Sequence, residues 1–264
     1  MFRLNTSPDE IESILENVPK TTVIAEFSGR DSVAAVMKSL EGYKMKNILP
    51  IASFAGTEYG DVEPLYENHK NLIKRIHIKH GHEKRVYPLI IHSSPDLWHA
   101  INGRFTAELI EKFGFYTPCI GCHAYFHLLR MPMAKKIGNC IISGEREGHQ
   151  GRIKLNQLPE CLDTYERILA HFDVDLLHPV RKIHKNEEIE NLIGWDWDEG
   201  AQHPECVFSG NYRNLDGDVK YDPEQLNLYL ETFLYPACIK LGELMLSENN
   251  PTKEQMVEVV KSCL

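Results

Sequence analysis

The sequence predicts a doubly wound α/β fold on a mainly parallel, five-stranded sheet. Two observations carry that reading. Short runs of β-branched and aliphatic residues recur along the chain, and longer helix-like segments separate them. Strands that alternate with helices in this way pair in parallel, with helices on both faces. The composition agrees: 264 residues, 42% hydrophobic and 25% charged, make an ordinary globular chain, not a collagen-like, low-complexity or disordered one.

The elements follow in order. Ser7 caps a first helix, Pro8 suits its first position, and Glu10 completes a capping box. Ile11, Ile14 and Leu15 give that helix its apolar stripe. Residues 21–27 form a first strand, followed by a Ser/Gly turn and an Ala/Val-rich helix over 32–40. A second strand over 47–54 leads to a helix over 61–79. The third strand spans 86–92 and the third helix 94–113, with Pro95 at its start. A fourth strand is expected over 139–143 and a fifth over 174–180. The segment 195–222 reads as irregular, and 222–246 as helical again. Residues 1–194 are expected to form the nucleotide-binding α/β domain, N-terminal helix included. Residues 195–264 then supply an irregular segment and C-terminal helices that pack on it.

Charge and hydropathy narrow the function. Lys and Arg number 29 against 38 Asp and Glu, a net −9, which argues against a general grip on phosphate backbones. The one strongly basic stretch, KNLIKRIHIKHGHEKR at 70–85, fits either a solvated helix face or an RNA-contacting patch. No run of about 18 apolar residues is present, so no membrane span is expected. The start lacks the apolar core of a signal peptide, so a cytoplasmic protein is expected. Its seven cysteines then read as thiols, metal ligands or catalysts rather than disulfides.

The turn Phe27-Ser28-Gly29-Arg30-Asp31-Ser32 lies between the first strand and its helix. Such a turn aims backbone N–H groups and a positive helix end at one point, which suits phosphate. Gly29 allows close backbone approach, and Ser28 and Ser32 add hydroxyls. Asp31 fits either a magnesium contact or a helix cap. A plain tight turn with an N-cap is the competing reading. The G-x-x-x-x-G-K-[ST] pattern is absent, so this is not a Walker loop.

This turn resembles the pyrophosphate loop, S-G-G-x-D-S, of the PP-loop ATP pyrophosphatases. Phe27 stands at its first Ser and Ser28 at its first Gly. Thr57-Glu58-Tyr59-Gly60 resembles the T-G-x-E-like turn of phosphoadenylylsulfate reductase relatives. Ile141-Ile142-Ser143-Gly144-Glu145 is similar to the strand-end segment that lines the site. Leu177-His178-Pro179-Val180-Arg181, followed by Glu187, Glu188 and Ile189, is similar to the RPL…EI stretch of sulfur-inserting members. The resemblance implies ATP bound by Ser28, Gly29, Arg30, Asp31, Ser32, Ser53 and Gly144, with Asp31 assisting Mg2+ and taking part in catalysis. It also implies adenylation of a carbonyl oxygen, release of pyrophosphate, and displacement of AMP by a nucleophile.

Cys119-Ile120-Gly121-Cys122 has the spacing of a metal site or a redox pair. The layout after it resembles PP-loop enzymes that thiolate tRNA or build sulfur-containing cofactors. That resemblance implies catalytic Cys119 and Cys122 and a [4Fe–4S] cluster on Cys119, Cys122 and Cys206, one iron staying open to sulfide. Adding His203 makes a Cys3His set that suits a closed zinc site; buried thiols without metal are the third reading. The other four cysteines read as ordinary thiols, with Cys161 a candidate second nucleophile. Glu145, Arg146, Glu147, His149 and Arg152 read as either a substrate-facing group, with Arg146 or Arg152 on phosphate, or a charged loop. Trp195 and Trp197 fit a half-buried strand or a base-stacking platform. The expected activity is ATP-dependent sulfur transfer from a sulfur donor to a tRNA base or small metabolite, by a monomer or a homodimer. A PP-loop amide ligase or a reductase-like enzyme with structural zinc, and a non-catalytic nucleotide-binding protein, are the alternatives.

Overall fold

The computed structural model describes residues 5–42, 45–197, 204–248 and 250–264. The chain begins with α1 (Pro8–Asn17), whose cap is Ser7 accepting from the Glu10 N–H at 3.4 Å. Then come β1 (Thr22–Glu26), α2 (Arg30–Gly42), β2 (Asn47–Ser53), the short β3 (Glu58–Tyr59) and α3 (Glu63–His80). Two short strands, β4 (Arg85–Val86) and β5 (Ile90–His92), precede α4 (Pro95–Trp98), α5 (Thr106–Phe113) and α6 (Pro118–Lys136). The second half runs β6 (Cys140–Ile142), α7 (Pro159–Ala170), β7 (Asp175–Leu177), α8 (Asn186–Ile193) and β8 (Glu205–Cys206). Helices α9 (Pro223–Tyr229), α10 (Tyr235–Ser247) and α11 (Lys253–Lys261) close it.

The main sheet is parallel throughout, with β2 between β1 and the β4/β5 pair, and β6 and β7 beyond β1. Six strands occupy the five expected positions because the third breaks around Pro88. Proline has no N–H to give the ladder, and the gap between β4 and β5 falls opposite Leu49 and Pro50 of β2. The expected helix over 94–113 also breaks: one π-helical turn, His99–Gly103, separates α4 from α5.

Alternation along the strands builds the two faces. Val23 and Ala25 of β1 join one core, with Ile48 and Ala52 of β2 and the inner sides of α2, α3 and α8. Ile24 points the other way, into a core shared with α5, α6 and α7. That is the period-2 pattern of a strand covered on both faces. Leu226, Phe233, Leu241 and Val260 of the C-terminal helices lie in the same core as Ile24 and Leu128. The strand order reverses between β1 and β6, so the crevice where such sheets bind ligands opens at the carboxyl ends of these two strands. No described helix is long and apolar enough to cross a membrane.

Candidate active site

A cavity of about 480 Å³ opens at that crevice. Ser28, Gly29, Arg30, Asp31 and Ser32 line one side, Ser53 and Gly144 the ends of β2 and β6, and Cys119, Cys122 and Cys206 the other side. One cavity therefore gathers the loop residues 28–32, Ser53, Gly144 and the three cysteines, while Arg146 and Arg152 do not line it. His203 lies outside the described residues.

The loop after β1 is held by one side chain. Ser32 Oγ accepts from the Ser28 and Gly29 N–H groups at 3.1 and 3.2 Å and donates to the Gly29 carbonyl at 2.7 Å. Asp31 lies in the first turn of α2 and does not cap it: its Oδ2 accepts from Arg146 Nε at 2.9 Å. Arg146, 1% exposed, is thus committed to Asp31, Asn186 and the Ile183 carbonyl, and Arg152 is exposed. Asp31 Oδ1 is buried and accepts no hydrogen bond.

The cysteines arrive from two directions. Cys119 and Cys122 lie in the first turns of α6. Cys206 is brought over by an antiparallel pairing of β3 with β8 that sets it opposite Glu58. Burial pushes the Cys119 thiol up to about 11 and Cys122 well above its usual value. Among the described residues, His127, Glu145 and His178 are the one set of three or more such ligand types whose ligand atoms all lie within 4.8 Å of one another. The three sulfurs therefore span a wider triangle than tetrahedral zinc needs, about 3.8 Å between sulfurs for bonds of about 2.3 Å. Cys161 is buried, donates to the Leu155 carbonyl at 3.2 Å and does not line the cavity, so it is a structural thiol.

On the cavity wall runs a polar network around Glu145, which the sequence marked as substrate-facing; the histidines that hold it were not marked. Glu145, 2% exposed, accepts from His123 Nδ1 at 2.5 Å, His127 Nε2 at 3.0 Å, His178 Nε2 at 2.8 Å and Ser143 Oγ at 3.0 Å. Burial alone would raise its pKa, but His127 and these hydrogen bonds hold it well below the usual carboxylate range. Burial likewise opposes charge on His178, yet Glu145 and Glu166 raise it to about 9. His127 Nδ1 stays buried without a partner, and His123 Nε2 faces Asn156 Nδ2 at 2.8 Å. Glu58, on the cavity wall, is raised by burial to about 7. The signals were present: His123 and His127 sit four apart on one helix, and Glu26 ends an apolar strand.

His178 gives a prediction with a defined sign. Its folded pKa is raised, so its stabilisation is complete below about 6.5 and is lost as pH rises through about 9. Unfolding free energy from urea titrations should fall by about 1.4 kcal/mol per pH unit across that window. His178→Gln should remove this component; an unchanged slope in the variant would show that His178 does not hold the proton.

Trp197 lines the cavity, and Trp195 packs beside it with ring centroids 6.1 Å apart, neither in a strand. The basic stretch is the solvent side of α3 and the turn after it, with Lys70 paired to Glu67 and Lys79 to Glu41.

The parallel sheet reverses its order at β1/β6, and the serine–glycine loop lies at that point. A 4-thiouridine synthetase, solved in complex with RNA and bound ATP, has this fold: TM-score 0.51 and 18% identity, over 87% of this chain and 54% of that one. The chain thus spans about half the synthetase's length. It is 42% identical over 240 residues to the uncharacterized protein MJ0009 of Methanocaldococcus jannaschii, covering 90% of this chain and 86% of the relative. The chain belongs to the family of that protein. It matches no established family profile.

Proposed function

We propose that the protein is an ATP-dependent enzyme that adenylates a substrate carbonyl oxygen and then exchanges that oxygen for sulfur. One observation carries this reading: a single cavity holds the loop at residues 28–32 and the three cysteines 119, 122 and 206. Activation and sulfur delivery need such proximity, because the adenylate is open to hydrolysis. The fold shared with an ATP-bound 4-thiouridine synthetase supports the nucleotide half.

In the first step the substrate oxygen attacks the α-phosphorus of ATP, an O–P bond forms, and pyrophosphate leaves. In the second, hydrosulfide attacks the activated carbon, a C–S bond forms, and the C–O bond breaks to release AMP. The loop N–H groups and the start of α2 hold the pyrophosphate. Asp31 Oδ1, buried without a hydrogen-bond donor, suits Mg2+, which offsets charge on that leaving group. Cys119, Cys122 and Cys206 form a soft, three-thiolate set that fits an iron–sulfur cluster. A cluster held there supplies an iron free to take hydrosulfide. A tRNA base, a small metabolite, the sulfur donor and a homodimer belong to this reading as proposals, as does a cytoplasmic site of action.

Phosphorus NMR of ATP turnover tests it. The expected products are AMP and pyrophosphate, and Gly29→Val, which places a branched side chain where the backbone meets phosphate, should lose ATP binding by calorimetry. ADP and phosphate as products, or full binding by the variant, would sink the proposal.

A further inference from the structure

Arg130 of α6 lies under the cavity with one donor unused. It is 1% exposed yet lines the cavity wall. Its Nε donates to Ser53 Oγ at 3.0 Å, which fixes the guanidinium at the end of β2. The Phe126 ring lies beside it, 5.7 Å from centroid to Cζ. Arg130 Nη1 is buried and has no hydrogen-bond partner. A buried guanidinium N–H left unpartnered is costly, and a ligand oxygen would satisfy it.

The surrounding charges decide which kind of oxygen. Arg130 feels the fields of Glu26 and Glu145. Burial pushes Glu26 up, but Arg130, His127 and the Ser143 hydrogen bond together hold it below its usual value, so it stays ionised, as does Glu145. His178 carries the second positive charge. Glu166 pairs with His178 through its other ring nitrogen and Glu58 also acts on Arg130, so carboxylates already offset the positive charge here. Glu26 Oε2 accepts from Ser143 Oγ at 2.6 Å and from the Gly144 N–H at 3.1 Å, so Arg130 keeps its donor free while its charge is neutralised. A further anion at Nη1 would be repelled by these carboxylates across a poorly solvated floor. A neutral acceptor would not be.

We propose that Arg130 Nη1 donates to the neutral carbonyl oxygen of the substrate, so that the cavity selects a lactam or amide carbonyl over a carboxylate. The inference rests on the activation reading above and narrows it, since an amide ligase would activate a carboxylate. The donor orients the oxygen for attack on ATP. It then stabilises the charge that gathers on the same oxygen as the C–O bond breaks.

Uridine serves as the lactam probe and acetate as the carboxylate probe, followed by saturation-transfer NMR and calorimetry with and without ATP. The proteins are the parent, Arg130→Lys, Arg130→Met, and Arg130→Met combined with Glu26→Gln, which avoids a buried unpaired carboxylate. Uridine should bind the parent and weaken at least about tenfold in both Arg130→Met proteins, with Arg130→Lys between them and acetate not bound. Thermal unfolding checks that each variant folds. Uridine binding that survives in a folded Arg130→Met protein, absence of uridine binding to the parent, or a preference for acetate would overturn the proposal. Failure of the parent to bind ATP, with uridine binding still dependent on Arg130, would instead overturn the activation reading and leave this one standing.

Discussion

Gly144→Ala should abolish ATP binding. A Cβ at residue 144 would sit 2.4 Å from the Ser32 backbone nitrogen, 2.5 Å from its Cα and 2.7 Å from the Asp31 carbonyl carbon. All three atoms are backbone in the first turn of α2, so no rotamer change relieves the clash. Gly148 offers the contrast: a Cβ there meets the His184 ring, a side chain that can turn away. At Gly144 the end of β6 and the loop at 28–32 must separate, and the Gly144 N–H loses its 3.1 Å bond to Glu26. Overpacking of this kind costs about 1–3 kcal/mol. Urea titration should show that loss, and calorimetry should show ATP affinity reduced by well over about tenfold, since the phosphate-facing atoms themselves are displaced. Wild-type affinity in a folded Gly144→Ala protein would mean that the nucleotide does not lie between β1 and β6.

The same clash distance explains what the sequence could and could not reveal. The strand at 22–26 was legible because its residues are apolar and bounded by turn chemistry, and its partner loop because Ser, Gly and Asp have few roles between a strand and a helix. Nothing local tells that Gly144 touches Ser32. The contact spans more than a hundred positions and exists only because β6 lies beside β1. Arg130 was hidden for a related reason. It interrupts an apolar run in α6, a helix buried along most of its length, and its partner Ser53 is 77 residues away. The break in the third strand was readable from Pro88, while the π-helical turn at 99–103 has no comparable marker. Cys206 lines the same cavity as the other two cysteines, but the device that carries it, the pairing of β3 with β8, consists of two residues per strand and leaves no periodic trace.

Cys206→Ala should abolish sulfur transfer, and His203→Ala should leave it intact. A tetrahedral zinc binds four ligands at about 2.0–2.3 Å and so needs its sulfurs nearly in contact. The sulfurs of Cys119, Cys122 and Cys206 do not form so tight a set. Each has its own hydrogen-bond partner, Cys119 donating to Asn211 Oδ1 at 3.4 Å, Cys122 accepting from Trp98 Nε1 at 3.3 Å and Cys206 donating to Thr57 Oγ1 at 3.4 Å. Cys119, Cys122 and Cys206 would each hold one iron of a cluster, which would supply a site for hydrosulfide. Burial keeps Cys119 and Cys122 protonated without metal, so metal uptake should release protons and weaken as pH falls. Protein purified without oxygen should be brown, with broad visible absorption that air bleaches, and Cys206→Ala should be colourless and inactive in thiolation while still binding ATP. A colourless parent carrying one zinc per chain, lost equally on replacing His203 or Cys206, would rule out the cluster. The metal would then be structural, and ATP activation would have to serve a nucleophile other than sulfide.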